Sequence, residues 1–333
     1  MFLIGDIGGT KTVLAVINRK NNSIVPMYEK SYASSQYDSL EVIISEYQAS
    51  ISEKVDVGCF AVAGPVVEGK AKITNLPWVI DGDEIQAAFG WKRVDLINDL
   101  EAVANAVPIL QSSDIHQLNI GKPVLNGNLS VIAPGTGLGE AYLTFENNKY
   151  YAHASEGSHA SFAPINSLQM ELLGYLLKNK GYEHVSFERV CSGGLGIPNL
   201  YEFLKEKGIA EEPDWLKEAI SSSDDPTPII INNALDPTQG CEICQKTLNL
   251  FVEILGAEAG NQALKVMSTG GIFLGGGIPP RILSSLKTPT FFEALRNKGR
   301  FRTLLTHIPV HVIMNSKAGL LGAAAYGYDQ LPI

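Results

Sequence analysis

Two glycine-rich segments carry the residue types that grip phosphate. Gly5-Asp6-Ile7-Gly8-Gly9-Thr10-Lys11 lies near the start of the chain, and Gly135-Thr136-Gly137-Leu138-Gly139 follows about one domain later. Glycine lets backbone N–H groups come close to an anion and adopts positive φ without penalty. Thr10 and Thr136 add hydroxyl donors, and Lys11 adds a positive charge. Asp6 is the odd member, because a carboxylate beside a phosphate repels it unless a cation lies between. Asp6 therefore implies Mg²⁺, held through water because this ion keeps much of its hydration. Gly275-Gly276-Gly277 forms a third such segment. Any one of them alone reads equally well as a plain hairpin turn. Two of them, each with a threonine and each between strands, imply two backbone cradles that grip one chain of phosphates from opposite sides. That is the logic of an ATP-dependent phosphotransferase on a duplicated fold. The Walker pattern Gly-x-x-x-x-Gly-Lys-Ser/Thr is absent. A strand rather than a helix is expected after Gly139, which argues against a dinucleotide fingerprint.

The acidic residues supply the second half of the chemistry. Asn98-Asp99 ends the apolar run Val94-Asp95-Leu96-Ile97 and opens a helix from Leu100 to Val107, stopped by Pro108. The helix dipole favours an ionised Asp99. Such a carboxylate can accept a hydroxyl proton as that oxygen attacks phosphorus. A simple N-cap is the competing explanation for Asp99. Glu156-Gly157-Ser158-His159 and Glu188 offer carboxylates and an imidazole, natural partners for several neighbouring hydroxyls, as in a sugar. Taken singly, each of these also reads as a surface group or a member of a salt bridge.

These residues need elements to position them. Phe2-Leu3-Ile4 and Val13 to Ile17 read as strands flanking the first turn, with a further turn at Asn21-Asn22 and a third strand up to residue 34. Ser39 to Tyr47 has helical apolar spacing, Val57 to Ala63 reads as a buried strand, and Asp83 to Gly90 as a short helix closed by glycine. Val131-Ile132-Ala133 and Glu140 to Leu143 flank the second turn, and Ser167 to Lys178 is amphipathic. Residues 206–232 are polar and read as a loop-like surface excursion. Leu248, Phe251, Val252, Leu255, Ala259, Ala263 and Val266 share one stripe, which predicts a long core helix over about 241–267. Gly271 to Leu274 and Pro309 to Ile313 read as strands, and Ala318 to Tyr326 as a helix of small residues.

The bulk properties limit the partners. The chain has 333 residues, enough for two ordinary domains, and 45% of them are hydrophobic. No apolar run approaches the roughly 18 residues of a membrane span. The N-terminal apolar run is cut by Asp6, unlike a secretory signal, so a cytoplasmic location and no membrane association are expected. With 26 basic and 35 acidic residues the net charge is −9, which argues against a nucleic-acid surface. The four cysteines are too few for a disulfide framework. Cys241-x-x-Cys244 has no second pair and no nearby histidine, so it reads as two cysteines at a helix start rather than a metal site.

Taken together and in order, these segments resemble a bacterial-type glucokinase of the hexokinase/actin-like ATPase superfamily. The likeness is carried by Gly-Asp-Ile-Gly-Gly-Thr at 5–10, Ile-Asn-Asp at 97–99, Gly-Thr-Gly-Leu-Gly at 135–139, Glu-Gly-Ser-His at 156–159, Ser-Phe-Glu-Arg-Val-Cys-Ser-Gly at 186–193, Leu-Gly-Gly-Gly-Ile at 274–278, Lys-Gly-Arg-Phe at 298–301 and Gly-Leu-Leu-Gly at 319–322. The resemblance implies a duplicated ribonuclease H-like (actin-like ATPase) α/β fold of two domains with an interdomain cleft. Residues 1–109 plus 314–333 would form the small domain and 110–313 the large one, with the site in the cleft and closure on sugar binding. It implies Asp99 as general base for the sugar's 6-hydroxyl. Asn98, Glu156, His159 and Glu188 would hold the other hydroxyls, helped by the backbone of Gly137. Gly5, Asp6, Ile7, Gly8, Gly9, Thr10, Lys11, Gly135 and Thr136 would bind the ATP phosphates, with Mg²⁺ at Asp6, and Gly275 and Gly276 would lie near the nucleoside. A homodimer is also implied. Lys11-Thr12 stands where close relatives often carry Asn and Ala, which bears on nucleotide contacts. The zinc motif of the repressor–kinase relatives is absent, which favours the zinc-independent branch.

Three other readings share parts of this pattern. A kinase for another hexose or an amino sugar would use the same hydroxyl-binding residues. A non-enzymatic sugar sensor would keep the fold, but no helix-turn-helix segment fits ahead of residue 5. An actin-like ATPase without a small acceptor leaves Asn98, Asp99, Glu156, His159 and Glu188 unexplained.

Overall fold

The computed structural model describes residues 1–17, 24–73, 76–238 and 240–330. The turn expected at Asn21-Asn22 lies outside the described residues. The chain divides into two compact units, one of residues 1–114, 150–154 and 315–333, the other of 115–149 and 155–314.

In the first unit the sheet order is Pro26–Ala33, Lys11–Ile17, Phe2–Ile7, Val57–Val62, Arg93–Asn98. The first three strands are antiparallel neighbours and the last three are parallel. Phe2–Ile7 and Val57–Val62 are nearly continuous apolar runs because helices cover both faces. Helix Leu40–Ala49 packs on one face through Leu40, Ile43, Ile44 and Tyr47, together with Leu3, Ile7 and Leu14. Helix Ala318–Asp329 packs on the other with Phe2, Ile4, Ala15 and Cys59. Successive strand residues alternate faces, so Asp6 joins Phe2 and Ile4 on the side of this last helix.

The last helix is rich in glycine and alanine because it presses hard on its neighbours. A Cβ on Gly322 would overlap the Ala102 carbonyl of helix Asp99–Ala106, and one on Gly327 would enter the Phe2 ring. Gly322→Val is therefore expected to cost about 2–4 kcal/mol through overpacking against backbone that cannot turn away. Urea unfolding measures this directly, and an unchanged midpoint would contradict the close approach.

The second unit repeats the plan. Strands Leu138–Glu146, Leu129–Pro134, Gly271–Leu274, Val310–Ile313 and Ile115–Asn119 are successive neighbours. The first pair is antiparallel, the next two pairs are parallel, and the last is antiparallel. A hairpin with a glycine turn followed by two parallel strands thus occurs in each unit, which is the duplicated ribonuclease H-like arrangement. Helix Glu242–Val266 runs through the core, burying Leu248, Phe251, Val252, Leu255, Ala259 and Ala263, with Cys241 as its N-cap.

Residues 206–232 are not a loop. They contain helix Asp214–Ser221 and most of helix Thr227–Leu235, and Leu216, Ile230 and Ile231 join the core. The polar composition hides two short amphipathic helices, each started by a proline, Pro213 and Pro226, at its N-cap. Among the described residues no helix is long and apolar enough to cross a membrane.

Candidate active site

In the first unit the hairpin pairing reaches Ile7 and Thr12, leaving residues 8–11 to form the turn. The Gly8 N–H donates to the Lys11 carbonyl at 3.0 Å. Ser34, which no sequence signal marked, holds the turn from behind. Its hydroxyl donates to the Gly8 carbonyl at 2.8 Å and contacts Thr12 Oγ1 at 3.0 Å, and its N–H donates to the Thr10 carbonyl at 3.0 Å. With these carbonyls tied back, the turn's backbone is fixed. Thr10 and Lys11 are exposed, and Gly8 and Gly9 are half-buried. Gly5 and Ile7 are buried inside the strand, and a Cβ on Gly5 would lie 2.6 Å from the Phe60 ring.

Asp6 is half-buried, its carboxylate against the first turn of the last helix, where a Cβ on Gly319 would lie 3.2 Å from Asp6 Oδ2. Burial first, and then the charge of Asp99, push its carboxyl up to about 6, while Lys11 pulls the other way. Two carboxylates that disfavour each other's charge are a donor set that a hydrated divalent cation would suit.

The neighbouring pair divides its work. Asn98 is the N-cap of helix Asp99–Ala106, its Oδ1 accepting from the N–H of Leu100 at 3.0 Å and of Glu101 at 3.3 Å. Its Nδ2 donates to the Gly64 carbonyl at 3.0 Å. Asp99 is the first helical residue, exposed, with Oδ1 accepting from the Leu100 N–H at 2.8 Å. The cap explanation thus belongs to Asn98, and the Asp99 carboxylate stands at the positive end of the helix.

In the second unit three glycine segments meet. The N–H groups of Gly193 and Gly194 donate to the carbonyls of Gly135 at 2.7 Å and Thr136 at 2.8 Å. Side chains there would strike those same carbonyls. The Gly275 N–H donates to the Ile132 carbonyl at 2.9 Å, and Gly276, at φ 80°, lies over Pro134 where no Cβ fits. Thr227, inside the segment expected to be a surface excursion, donates its hydroxyl to the Gly193 carbonyl at 2.6 Å. Sequence reasoning gave Gly193, Gly194 and Thr227 no role in supporting the turn. The Ser192-Gly193-Gly194 run was the signal available for the first two.

The carboxylate–imidazole set also comes together. The Phe162 N–H donates to the Val185 carbonyl at 2.8 Å and the Phe187 N–H to the Ala160 carbonyl at 3.1 Å, joining the two segments. His159 Nδ1 then lies 3.6 Å from Glu188 Oε2, and His159 Nε2 lies 3.6 Å from Glu156 Oε2. A Cβ on Gly137 would be 3.1 Å from Glu188 Oε1. Gly137, Glu156, His159 and Glu188 are one cluster, with Glu156 and His159 exposed. Two carboxylates flanking an imidazole beside a side-chain-free backbone suit a ligand with several adjacent hydroxyls.

Known proteins share this plan. A family model described as glucokinase matches residues 3–330. The glucokinase of Nostoc punctiforme is 40% identical over 336 residues, covering 97% of this chain and 98% of its own. The crystal structure of a glucokinase from an Antarctic psychrotroph superposes with a TM-score of 0.84 at 33% identity, covering 99% of both chains. A ROK family glucokinase from Streptomyces griseus in complex with glucose and AMPPNP shares the fold at a TM-score of 0.64 and 20% identity, over 98% of this chain and 99% of its own. With a family match over nearly its whole length and a relative 40% identical across it, the chain belongs to the glucokinase family, enzymes that phosphorylate glucose with ATP.

Proposed function

We propose that Asp99 takes the proton of the glucose 6-hydroxyl as that oxygen attacks the γ-phosphorus of ATP, giving glucose 6-phosphate and ADP. The observation that carries this assignment is the exposed Asp99 carboxylate at a helix N-terminus whose cap is Asn98. Phosphoryl transfer needs little covalent help from a protein, so positioning and charge neutralisation dominate. Glu156, His159 and Glu188 hold the remaining sugar hydroxyls together with the Gly137 backbone. The Asn98 amide carries a second N–H beyond the one given to Gly64, and this N–H serves a sugar hydroxyl as well. The segment Gly5–Lys11, through its turn at 8–11, and Gly135–Thr136 receive the ATP phosphates, and Gly275 and Gly276 lie beside the nucleoside. Asp6 holds Mg²⁺ through water, and that ion, when bound, neutralises charge on the phosphates.

The sugar assignment has its own test. Glu156→Ala and His159→Ala are expected to raise the KM for glucose at least about tenfold, since hydrogen bonds to charged groups contribute roughly 1.5–3 kcal/mol each. Thermal stability should hold, because both side chains are exposed. Steady-state kinetics with an unchanged KM in both variants would remove these residues from the sugar site. A cytoplasmic location is part of the same reading, supported by four free cysteines. So is a homodimer, the state the family resemblance implies.

A further inference from the structure

One buried group takes no part in the chemistry above. Glu140 follows the second glycine turn directly, and its carboxyl is fully buried with neither oxygen given a hydrogen-bond donor. It faces the carboxyl of Glu258, also fully buried, on helix Glu242–Val266, and among the described residues Glu258 Oε1 likewise has no hydrogen-bond partner. Two carboxylates have no hydrogen to share, so this contact is a bond only if one of them is protonated. Their surroundings decide which. Glu258 Oε2 accepts from Asn261 Nδ2 at 2.8 Å, and Glu258 Oε1 lies 3.5 Å from Lys265 Nζ. Lys298 Nζ donates to Asn261 Oδ1 at 2.6 Å and adds a second positive charge on that side. Glu258 is therefore the ionised partner and Glu140 the acid.

The other side of the Glu140 carboxyl meets the sugar cluster. A Cβ on Gly157 would fall on Glu140 Oε2, so the carboxyl packs directly on the Gly157 α-carbon, between Glu156 and His159. We propose that Glu140 is a positioning residue for sugar binding: as a neutral acid it donates to Glu258, and its carboxyl is the platform that seats Gly157 and hence Glu156 and His159. The inference rests on the sugar reading of that cluster.

The electrostatics agree with the geometry. Burial first, and then the charge of Glu258, push the Glu140 carboxyl up to about 8, with Lys265 opposing. Burial also raises Glu258, against Asn261, Lys265 and Lys298. The buried Cys191 thiol also faces the pair, pushed up by burial and by both carboxylates. One proton thus stays in the pair at neutral pH. Above about pH 8 it leaves, two carboxylates repel at the base of the turn, and the seated conformation is lost.

Glucose binding measured by calorimetry on the full chain without nucleotide, from pH 6.5 to 9.5, reads this out. The protein should bind about tenfold more weakly at pH 9 than at pH 7, the competent fraction falling tenfold for one unit above the titration midpoint. Glu140→Gln keeps a donor to Glu258 and should bind like the parent at pH 7, with no loss at pH 9. Glu140→Leu removes the donor and should bind weakly at both. A Glu140→Gln variant that titrates like the parent, or that is as weak as Glu140→Leu at pH 7, overturns the proposal. Carbon-13 NMR of labelled glutamate carboxyls in the parent is independent of any variant's folding and of the ligand. One carboxyl should remain protonated at pH 7 and titrate near pH 8, and its absence also overturns the proposal. His159→Ala is the control for the sugar reading. If it binds glucose like the parent, that reading fails, while the NMR signal still decides the state of Glu140.

Discussion

Asp99→Asn is expected to lower kcat by about 10²–10⁴-fold, the usual worth of a general base, with the KM for glucose little changed. The asparagine keeps an oxygen for the Leu100 N–H, whose bond Asp99 Oδ1 accepts, and the cap itself is made by Asn98. Stability should therefore be at least that of the parent. Removing the Asp99 charge also removes the second-largest cause of the raised Asp6 carboxyl, so the acid limb of any residual activity should move to lower pH. Coupled turnover assays and a thermal melt on the same preparation separate these effects. A variant with parental kcat would remove Asp99 from the chemistry, and one that melts early would show a structural role instead.

Asp6→Asn should move stability and activity in opposite directions. The Asp6 carboxyl titrates at 3.8 in the unfolded chain and at about 6 in the folded protein. Below about pH 4 both forms are protonated and the difference vanishes. As pH rises through about 6 the folded state takes on a buried charge, and the stability present at low pH is lost. The neutral amide escapes this, so Asp6→Asn is expected to stabilise the ligand-free protein by about 1–3 kcal/mol at pH 7.5 and by almost nothing at pH 4. The same change should cost most of the turnover, because a neutral amide is a poor partner for a hydrated Mg²⁺ beside phosphates. Differential scanning at the two pH values checks the sign. Equal melting shifts at both would mean that the charge of Asp6 is not what strains this site.

The parts of this account that could be read in the sequence are those where local chemistry and position coincide. The strand–turn–strand units around Gly8 and Gly137 needed only short apolar runs and glycines to be visible, and the stripe from Leu248 to Ala263 only its helical period. The mutual approach of Glu156, His159 and Glu188 depends on backbone bonds between 160–162 and 185–187, and no local pattern carries that pairing. Ser34, through its hydroxyl and its N–H, and Thr227, through its hydroxyl, support the turns from far along the chain. The helices within 206–232 were hidden because each is short and the polar run Ser221 to Asp225 with its following proline lies between them, although their apolar residues pack on the core. The helix start at 98–99 was legible, but the split between cap and first helical residue was not. Asn and Asp are both good caps, and only the geometry showed that Asn98 takes the role.

The most direct measurement is ADP release by the full-length protein with Mg-ATP, coupled to a reporter enzyme, across glucose, mannose, fructose and N-acetylglucosamine. Turnover with glucose well above the other three, and its loss in Asp99→Asn, is the expected result. Turnover with another sugar and not with glucose, or ADP release that does not depend on any sugar, would contradict it.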